Sequence, residues 1–225
     1  MQVVIQGILT DPFAIMNAIG LIAFALVGAV KAIRERFDLL GVVVVGLATA
    51  FAGGATRDVL VNRVPLVLSS LGEIALGLFG VSLAVGLSAA LESPDDHPVT
   101  VISDAIGLAA FATAGSIVAA DTGLPGFGIV VIATINAVGG GACADILLDR
   151  PPFILLTDFY ASCAVLGGGV FWTVTALGGA ESVAAALCAV VTVGTRLAAV
   201  TYGWELPTAQ RVGEVLTWPR NERSR

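Results

Sequence analysis

The sequence predicts an all-α, polytopic membrane protein with seven transmembrane helices, made of two inverted three-helix repeats and a seventh helix. Three observations support this fold class. Hydrophobic residues make up 57% of the 225 residues and charged residues only 12%, whereas a soluble domain is about 25% charged. Apolar runs of about 20 residues, long enough to cross a hydrocarbon core of about 30 Å, recur along nearly the whole chain. The third observation is an internal repeat.

The internal repeat has an offset of 87 residues and no gap. Residues 17–68 align with residues 104–155, and 21 of the 52 aligned positions are identical. A chain so rich in Ala, Val, Leu and Gly would match itself by chance at only about a tenth of the aligned positions. The repeat is clearest in GGATRDVLVNRVPL, residues 53–66, and GGACADILLDRPPF, residues 140–153. We therefore interpret it as a repeated structural unit.

The first repeat, residues 13–91, contains three apolar spans. The first span, 13–31, follows Asp11 and Pro12, which form a helix-start signal, and it ends at the basic loop KAIRERFD. The second span runs from 39 to 62 and the third from 71 to 91. The polar connector ESPDDHPVT follows, and its prolines and paired aspartates mark a linker between repeats.

The second repeat, residues 101–178, has spans at 101–119, 126–149 and 157–178. The seventh span, 181–202, has no partner in the repeat. Residues 1–205 are therefore predicted to form one transmembrane domain, followed by a tail at 206–225. Because each repeat has an odd number of spans, the second repeat enters the membrane from the opposite side, and the repeats are inverted.

Lysine and arginine residues predict the orientation of the chain. Of those outside the spans, all but Arg63 fall on one face of the predicted topology, and by the positive-inside rule that face is cytoplasmic. The C-terminal tail is then in the cytoplasm and the N-terminus outside. The residues on the cytoplasmic face are Lys31, Arg34, Arg36, Arg150, Arg211, Arg220, Arg223 and Arg225.

Glycine clusters lie at equivalent places in spans two and five. They are Gly53 and Gly54 in the first repeat, and Gly139, Gly140 and Gly141 in the second. Such clusters weaken a helix and can free backbone carbonyls, so a symmetric pair indicates a site near the membrane midplane built from broken helices. The alternative is close helix packing through small residues. Charged residues follow both clusters, which favours the site.

Ionisable residues inside spans are costly and usually functional. Asp58 and Asp145 are equivalent in the two repeats, and so are Asn17 and Asp104. Because the repeats are inverted, we expect Asp58 toward the outer face and Asp145 toward the inner face, each with its matching polar residue. The sequence therefore predicts a polar path with two ends.

Two arginines also fall in the spans. Arg57 precedes Asp58, and Arg196 lies in the middle of the seventh span. Arg57 could instead be a helix-end charge that reaches the interface. Arg196 needs a partner, and the candidates are Asp58, Asp145 and the freed carbonyls.

Enzymatic motifs are absent from the sequence. There is no HExxH, GxSxG or P-loop, and the single histidine, His97, lies in the polar connector. We therefore predict no enzyme, no cofactor and no metal site. The charges are confined to loops and ends, and a nucleic acid is not an expected partner.

The repeated pattern resembles the trimeric intracellular cation (TRIC) channel family, in its prokaryotic branch. Both repeats carry glycines followed by Asp, Leu and Pro, both open with AIGLxAFAxxG, and TRLAAV and ELP stand at the end of the seventh helix. The family pattern has three glycines and then Arg-Asp in each half. Here Ala52 replaces one glycine of the first half, and Ala144 replaces the arginine of the second.

The resemblance implies a homotrimer in the prokaryotic plasma membrane, whose subunits each contain a pore lined mainly by the second and fifth helices. The pore would conduct monovalent cations, chiefly potassium, and membrane lipids would surround the trimer. Bacterial relatives are also described as glycine transporters, so a secondary transporter of a small zwitterion such as glycine stays open. In a third alternative, a lipid-binding or structural membrane protein, changes at the glycines would alter only stability.

Overall fold

The computed structural model of the protein describes residues 11–90, 98–156 and 159–206. Within these ranges the chain forms seven α-helices, and two 3-10 turns follow the second and fifth helices. His97 and the predicted tail beyond residue 206 lie outside the described residues. The helices are α1 (Pro12–Arg34), α2 (Leu39–Leu60), α3 (Leu71–Ala90), α4 (Pro98–Asp121), α5 (Gly126–Leu147), α6 (Ala161–Ala176) and α7 (Glu181–Tyr202), and the turns are Leu66–Leu68 and Phe153–Leu155.

Each predicted span coincides with one helix, and the ends differ by at most four residues. The largest difference is at α6, which follows the 3-10 turn Phe153–Leu155 and begins at Ala161, not at residue 157. Six of the seven helices are long and apolar enough to cross a membrane. With 16 residues, α6 is about 24 Å long.

The two equivalent helices α1 and α4 form the centre of the molecule. They pack against each other; α1 also packs against α2 and α3, and α4 against α5, α6 and α7. Phe24 of α1 and Phe111 of α4 meet edge to face, with ring centroids 5.1 Å apart. Each ring lies against a glycine of the other helix, Phe24 against Gly107 and Phe111 against Gly20. These reciprocal contacts relate the two repeats by an approximate twofold axis.

A second reciprocal contact joins α2 and α5. A Cβ atom at Gly53 would overlap the carbonyl oxygen of Asn136, and a Cβ atom at Gly140 would overlap the carbonyl oxygen of Thr49. Thr49 and Asn136 are themselves repeat equivalents. Gly139 lies against Gly53, with 3.0 Å between its ideal Cβ position and the Cα of Gly53. The two helices therefore cross at backbone contact.

The prediction that these glycines break the helices is wrong. The α-helix of α2 continues through Gly53 and Gly54, and that of α5 continues through Gly139, Gly140 and Gly141. The carbonyls are not freed by a break. Glycine is needed here because any side chain would hold the two backbones apart, as is common where membrane helices approach closely.

Candidate functional site

The structure gathers the predicted polar residues into two clusters, one for each repeat. Each cluster contains an aspartate from the end of α2 or α5 and a polar residue from α1 or α4. The repeat-one cluster consists of Asn17, Arg57, Asp58 and Glu73, and the repeat-two cluster of Lys31, Asp104, Asp145, Tyr160 and Arg196.

The clusters lie at opposite ends of the molecule. Asn17 and Lys31 are both on α1, and a separation of 14 positions corresponds to about 21 Å along the helix. Asn17 belongs to the repeat-one cluster, whereas Lys31 contacts the aspartate of repeat two. The predicted inversion of the repeats is therefore confirmed.

Each aspartate holds the loop that follows its helix. In repeat one, Asp58 Oδ2 accepts a hydrogen bond from the backbone N–H of Leu66 at 3.1 Å. In repeat two, Asp145 Oδ2 accepts one from the backbone N–H of Phe153, also at 3.1 Å. The chain turns between donor and acceptor at a residue with positive φ, Asn62 at 57° and Asp149 at 54°. The loops are thus the same structure built twice.

The second carboxylate oxygen of each aspartate pairs with a cation. In repeat one, the Arg57 guanidinium lies 2.7 Å from Asp58 Oδ1 and over the Phe13 ring. Both charged side chains are almost fully buried. In repeat two, the Lys31 ammonium lies 2.9 Å from Asp145 Oδ1 and over the Phe153 ring. The same role is therefore filled by residues from different places in the sequence.

A second pair of equivalent contacts connects α1 with α3 and α4 with the start of α6. The Asn17 amide donates to both carboxylate oxygens of Glu73, at 2.8 and 3.0 Å. The Tyr160 hydroxyl donates to Asp104 Oδ1 at 3.0 Å. Neither Glu73 nor Tyr160 is among the polar residues that the sequence pattern predicts for the two-ended path. The 87-residue offset that aligns Asn17 with Asp104 also aligns these two, and could have found them.

Arg196 pairs with Asp104, and the predicted partners were wrong. Its Nε atom lies 3.7 Å from Asp104 Oδ2, and its guanidinium lies over the Tyr160 ring, 4.6 Å from the centroid. The candidates had been Asp58, Asp145 and freed carbonyls. Asp58 belongs to the opposite end of the molecule, and Asp145 is paired with Lys31.

The two clusters line cavities of very different size. The repeat-one cavity has a volume of about 10 Å³, about the space of a single water molecule. The repeat-two cavity has a volume of about 590 Å³. The two cavities share no lining residue among the described parts of the chain. The Phe24–Phe111 contact and the crossing of α2 and α5 lie between the two cavities and separate them.

Charge pairing dominates both clusters. Repeat one has two carboxylates and one arginine, and repeat two has two carboxylates, a lysine and an arginine. Within residues 11–90, 98–156 and 159–206, no group of three or more His, Cys, Asp or Glu side chains is placed to hold a metal ion. The arrangement can bind ions or small charged groups through carboxylates and cations.

These features define the class of protein: a helical membrane protein with inverted repeats and a charge-paired cluster at each end of α1. A family model described as Glycine transporter matches residues 14–90 and 101–176, one match for each repeat. The chain belongs to this family.

Curated relatives extend over nearly the whole chain. UPF0126 membrane protein YvgT of Bacillus subtilis is 36% identical over 200 residues, which cover 86% of this chain and 94% of the relative. A UPF0126 membrane protein of Deinococcus radiodurans is 36% identical over 160 residues, which cover 70% of this chain and 74% of the relative. Both are described as membrane proteins, in agreement with the apolar helices.

Solved structures of TRIC channels share the fold. One, solved to explain conductance through TRIC cation channels, is 34% identical with a TM-score of 0.78, covering 86% of this chain and 95% of that chain. A prokaryotic TRIC channel in 0.5 M KCl is 29% identical with a TM-score of 0.78, covering 86% of this chain and 98% of that chain. The resemblance to the TRIC family is thereby confirmed.

Proposed function

We propose that the protein is a channel for monovalent cations, chiefly potassium, with a pathway inside each subunit between α2 and α5. The observation that supports this function best is a pair of buried aspartates, one near the C-terminal end of each helix, that lie at opposite ends of the molecule. A cation that moves from one cluster to the other meets Asp58 at one end and Asp145 at the other. The similarity to solved TRIC cation channels supports the same function.

The crossing of α2 and α5 is the narrow part of the proposed pathway. The helices touch through Gly53, Gly139 and Gly140, and the carbonyl oxygens of Thr49 and Asn136 face the glycines of the opposite helix. Backbone carbonyls are suitable ligands for a partly dehydrated potassium ion. If the helices separate, these two oxygens would line the opening without any break in either helix. The glycines would then serve both the closed contact and the open path.

The test of this proposal is current through purified protein in planar bilayers. Potassium currents are expected from the wild type, and Asp58→Asn and Asp145→Asn should each reduce the conductance and the preference for cations over anions. Arg63→Gln, which changes an exposed charge in the loop after α2, is the matched control and should leave both unchanged. Silent bilayers with intact, correctly assembled protein would refute the channel function.

The proposal includes an assembly and a location. We infer a homotrimer in the plasma membrane of a prokaryote, surrounded by lipid, with the repeat-one cluster toward the outside and the C-terminus in the cytoplasm. The basic residues near the repeat-two end support this orientation, because the Arg150 guanidinium pairs with Glu35 beside Arg34 and Arg36. Labelling of single cysteines at residues 36 and 63 from either side of the membrane tests the orientation, and mass measurement in detergent tests the trimer.

A secondary transporter of a small zwitterion such as glycine is the second candidate. It is favoured by the description of the matching family model and by the repeat-two cavity, which is lined by both basic and acidic side chains. The two functions are separated by measuring the fluxes of potassium, sodium and glycine into proteoliposomes side by side. Saturable glycine uptake without single-channel steps would support the transporter and refute the channel.

A further inference from the structure

The missing arginine of the second repeat raises a question of charge. Arg57 precedes Asp58 and pairs with it, whereas Ala144 precedes Asp145 and is fully buried. A buried carboxylate without a cation is costly. The structure shows that Asp145 does have a cation, and that it comes from the other repeat.

Lys31 supplies this cation from the last turn of α1. Its ammonium lies 2.9 Å from Asp145 Oδ1, and its side chain is 25% exposed and lines the repeat-two cavity. Lys31 also lies over Phe153, whose equivalent in repeat one is Leu66. The position of Lys31 in the repeat alignment corresponds to Val118, so no equivalent lysine exists in repeat two.

We propose that Lys31 is the counterpart of Arg57 for the second repeat and controls the access of cations to Asp145. The proposal rests on the proposed channel function. A lysine suits this task because its single ammonium on a flexible stem can leave the carboxylate more easily than a guanidinium fork. A permeant cation that reaches the cavity competes with Lys31 for the Asp145 carboxylate. Lys31 therefore sets the electrostatic barrier at the repeat-two end of the path.

The first experiment removes the positive charge of Lys31. Lys31→Met keeps a long apolar side chain without the ammonium, and it should raise potassium conductance in low salt by up to about tenfold, since a charged cleft concentrates counter-ions by such factors. The cation-to-anion permeability ratio should rise as well. Lys31→Arg keeps the charge but binds the carboxylate through a guanidinium fork, so its conductance should not rise above that of the wild type. Arg36→Met, which removes the same charge from an exposed position at the same end, is the control for surface charge.

The second experiment moves the charge back to the family position. In repeat one, Arg57 faces Phe13; the equivalent of Phe13 is Thr100, which lines the repeat-two cavity. An arginine at residue 144 should therefore point toward that cavity. Lys31→Met should also lower the melting temperature, because it leaves Asp145 without its cation. Adding Ala144→Arg to Lys31→Met should return both the conductance and the melting temperature toward the wild-type values. If the double variant does not assemble, the comparison of Lys31→Met with Arg36→Met decides.

A third measurement does not depend on current. Lys31 is the only lysine in the sequence, so its reaction with an amine reagent can be followed by peptide mapping. Labelling should be severalfold faster in potassium chloride than in tetraethylammonium chloride of equal ionic strength, since a quaternary ammonium ion does not react with the reagent, and Asp145→Asn should make it fast in both salts. The large organic cation controls for screening of the ion pair.

The outcomes separate the inference from the proposed function. Equal conductance and selectivity in Lys31→Met and Arg36→Met would overturn the inference while the channel stands, and so would a loss of stability without any change in selectivity. If the wild type carries no current, the channel function fails. In that case potassium-dependent labelling of Lys31 still supports its competition with cations for Asp145, and equal labelling in both salts and in Asp145→Asn overturns it.

Discussion

The contact between α2 and α5 makes a sharp prediction for Gly140→Ala. A Cβ atom at Gly140 would overlap the carbonyl oxygen of Thr49 on the facing helix. Because that oxygen is part of a helical backbone, it cannot move as a side chain would. The two helices must separate at the crossing to admit the methyl group.

The expected loss of stability follows from this geometry. Insertion of a methyl group into a well-packed core typically costs about 1–3 kcal/mol, and a backbone obstacle places Gly140→Ala at the upper end of that range. Replacing an exposed helical glycine by alanine should instead raise the free energy of unfolding, because alanine favours a helix over glycine by up to about 1 kcal/mol. Gly86 on α3 and Gly194 on α7 have no atom within 4 Å of an ideal Cβ position. The difference between Gly140→Ala and these controls should therefore be about 3 kcal/mol.

The assay is reversible denaturation of the detergent-solubilised protein in mixtures with a denaturing detergent, with thermal unfolding as a second measurement. Gly86→Ala and Gly194→Ala should be neutral or stabilising, and Gly53→Ala should behave as Gly140→Ala does. If Gly140→Ala and the two controls have the same free energy of unfolding, the glycine contact does not hold the helices together and the reasoning is refuted. Under the channel proposal, Gly140→Ala should also alter conductance, whereas a purely structural protein would change in stability alone.

Two further predictions use the same unfolding assay. Arg57→Ala leaves the Asp58 carboxylate buried without its cation and should cost about 3–5 kcal/mol, whereas Arg150→Ala removes a partly exposed ion pair with Glu35 and should cost at most about 1 kcal/mol; similar losses would contradict the burial argument. Phe24→Ala removes a ring that is 1% exposed and should cost about 3–5 kcal/mol, so a loss below 1 kcal/mol would show that the centre of the molecule repacks.

Helix number and helix position could be predicted from the sequence because both follow from the thickness of the membrane. Each span needs about 20 apolar residues, and turn residues mark the ends of most of them. The exception is α6, which begins at Ala161, four residues after the predicted start at residue 157. An apolar run alone does not distinguish a short turn from the first residues of a helix.

The structural role of the glycine clusters could not be predicted from the sequence pattern. Glycine permits both a broken helix and a close helix contact, and the sequence does not state which neighbour lies opposite. Gly53 and Gly140 turned out to face the carbonyl oxygens of Asn136 and Thr49. That fact depends on the packing of two helices more than 80 residues apart. The positions could be predicted from the repeat, but the physical reason could not.

The ion pairs of the second repeat show a different limit. Arg57 and Asp58 are neighbours in the sequence, so their pairing could be suspected from the sequence. Asp145 instead takes its cation from α1, through Lys31, and Asp104 pairs with Arg196 of α7. Neither partner belongs to the second repeat. The internal repeat, which was the best guide to the first cluster, contains no information about these two contacts.

This difference gives the two ends different mechanical properties. Arg57 and Asp58 are on the same helix, so no movement of one helix relative to another separates their backbones. Lys31 and Asp145 are on α1 and α5, and Asp104 and Arg196 are on α4 and α7. A shift of α1 against α5, or of α4 against α7, changes the distance within a repeat-two ion pair. We therefore expect a rearrangement of the helices to change the Asp145 and Asp104 ion pairs, at the end with the cavity of about 590 Å³, while Asp58 keeps its arginine.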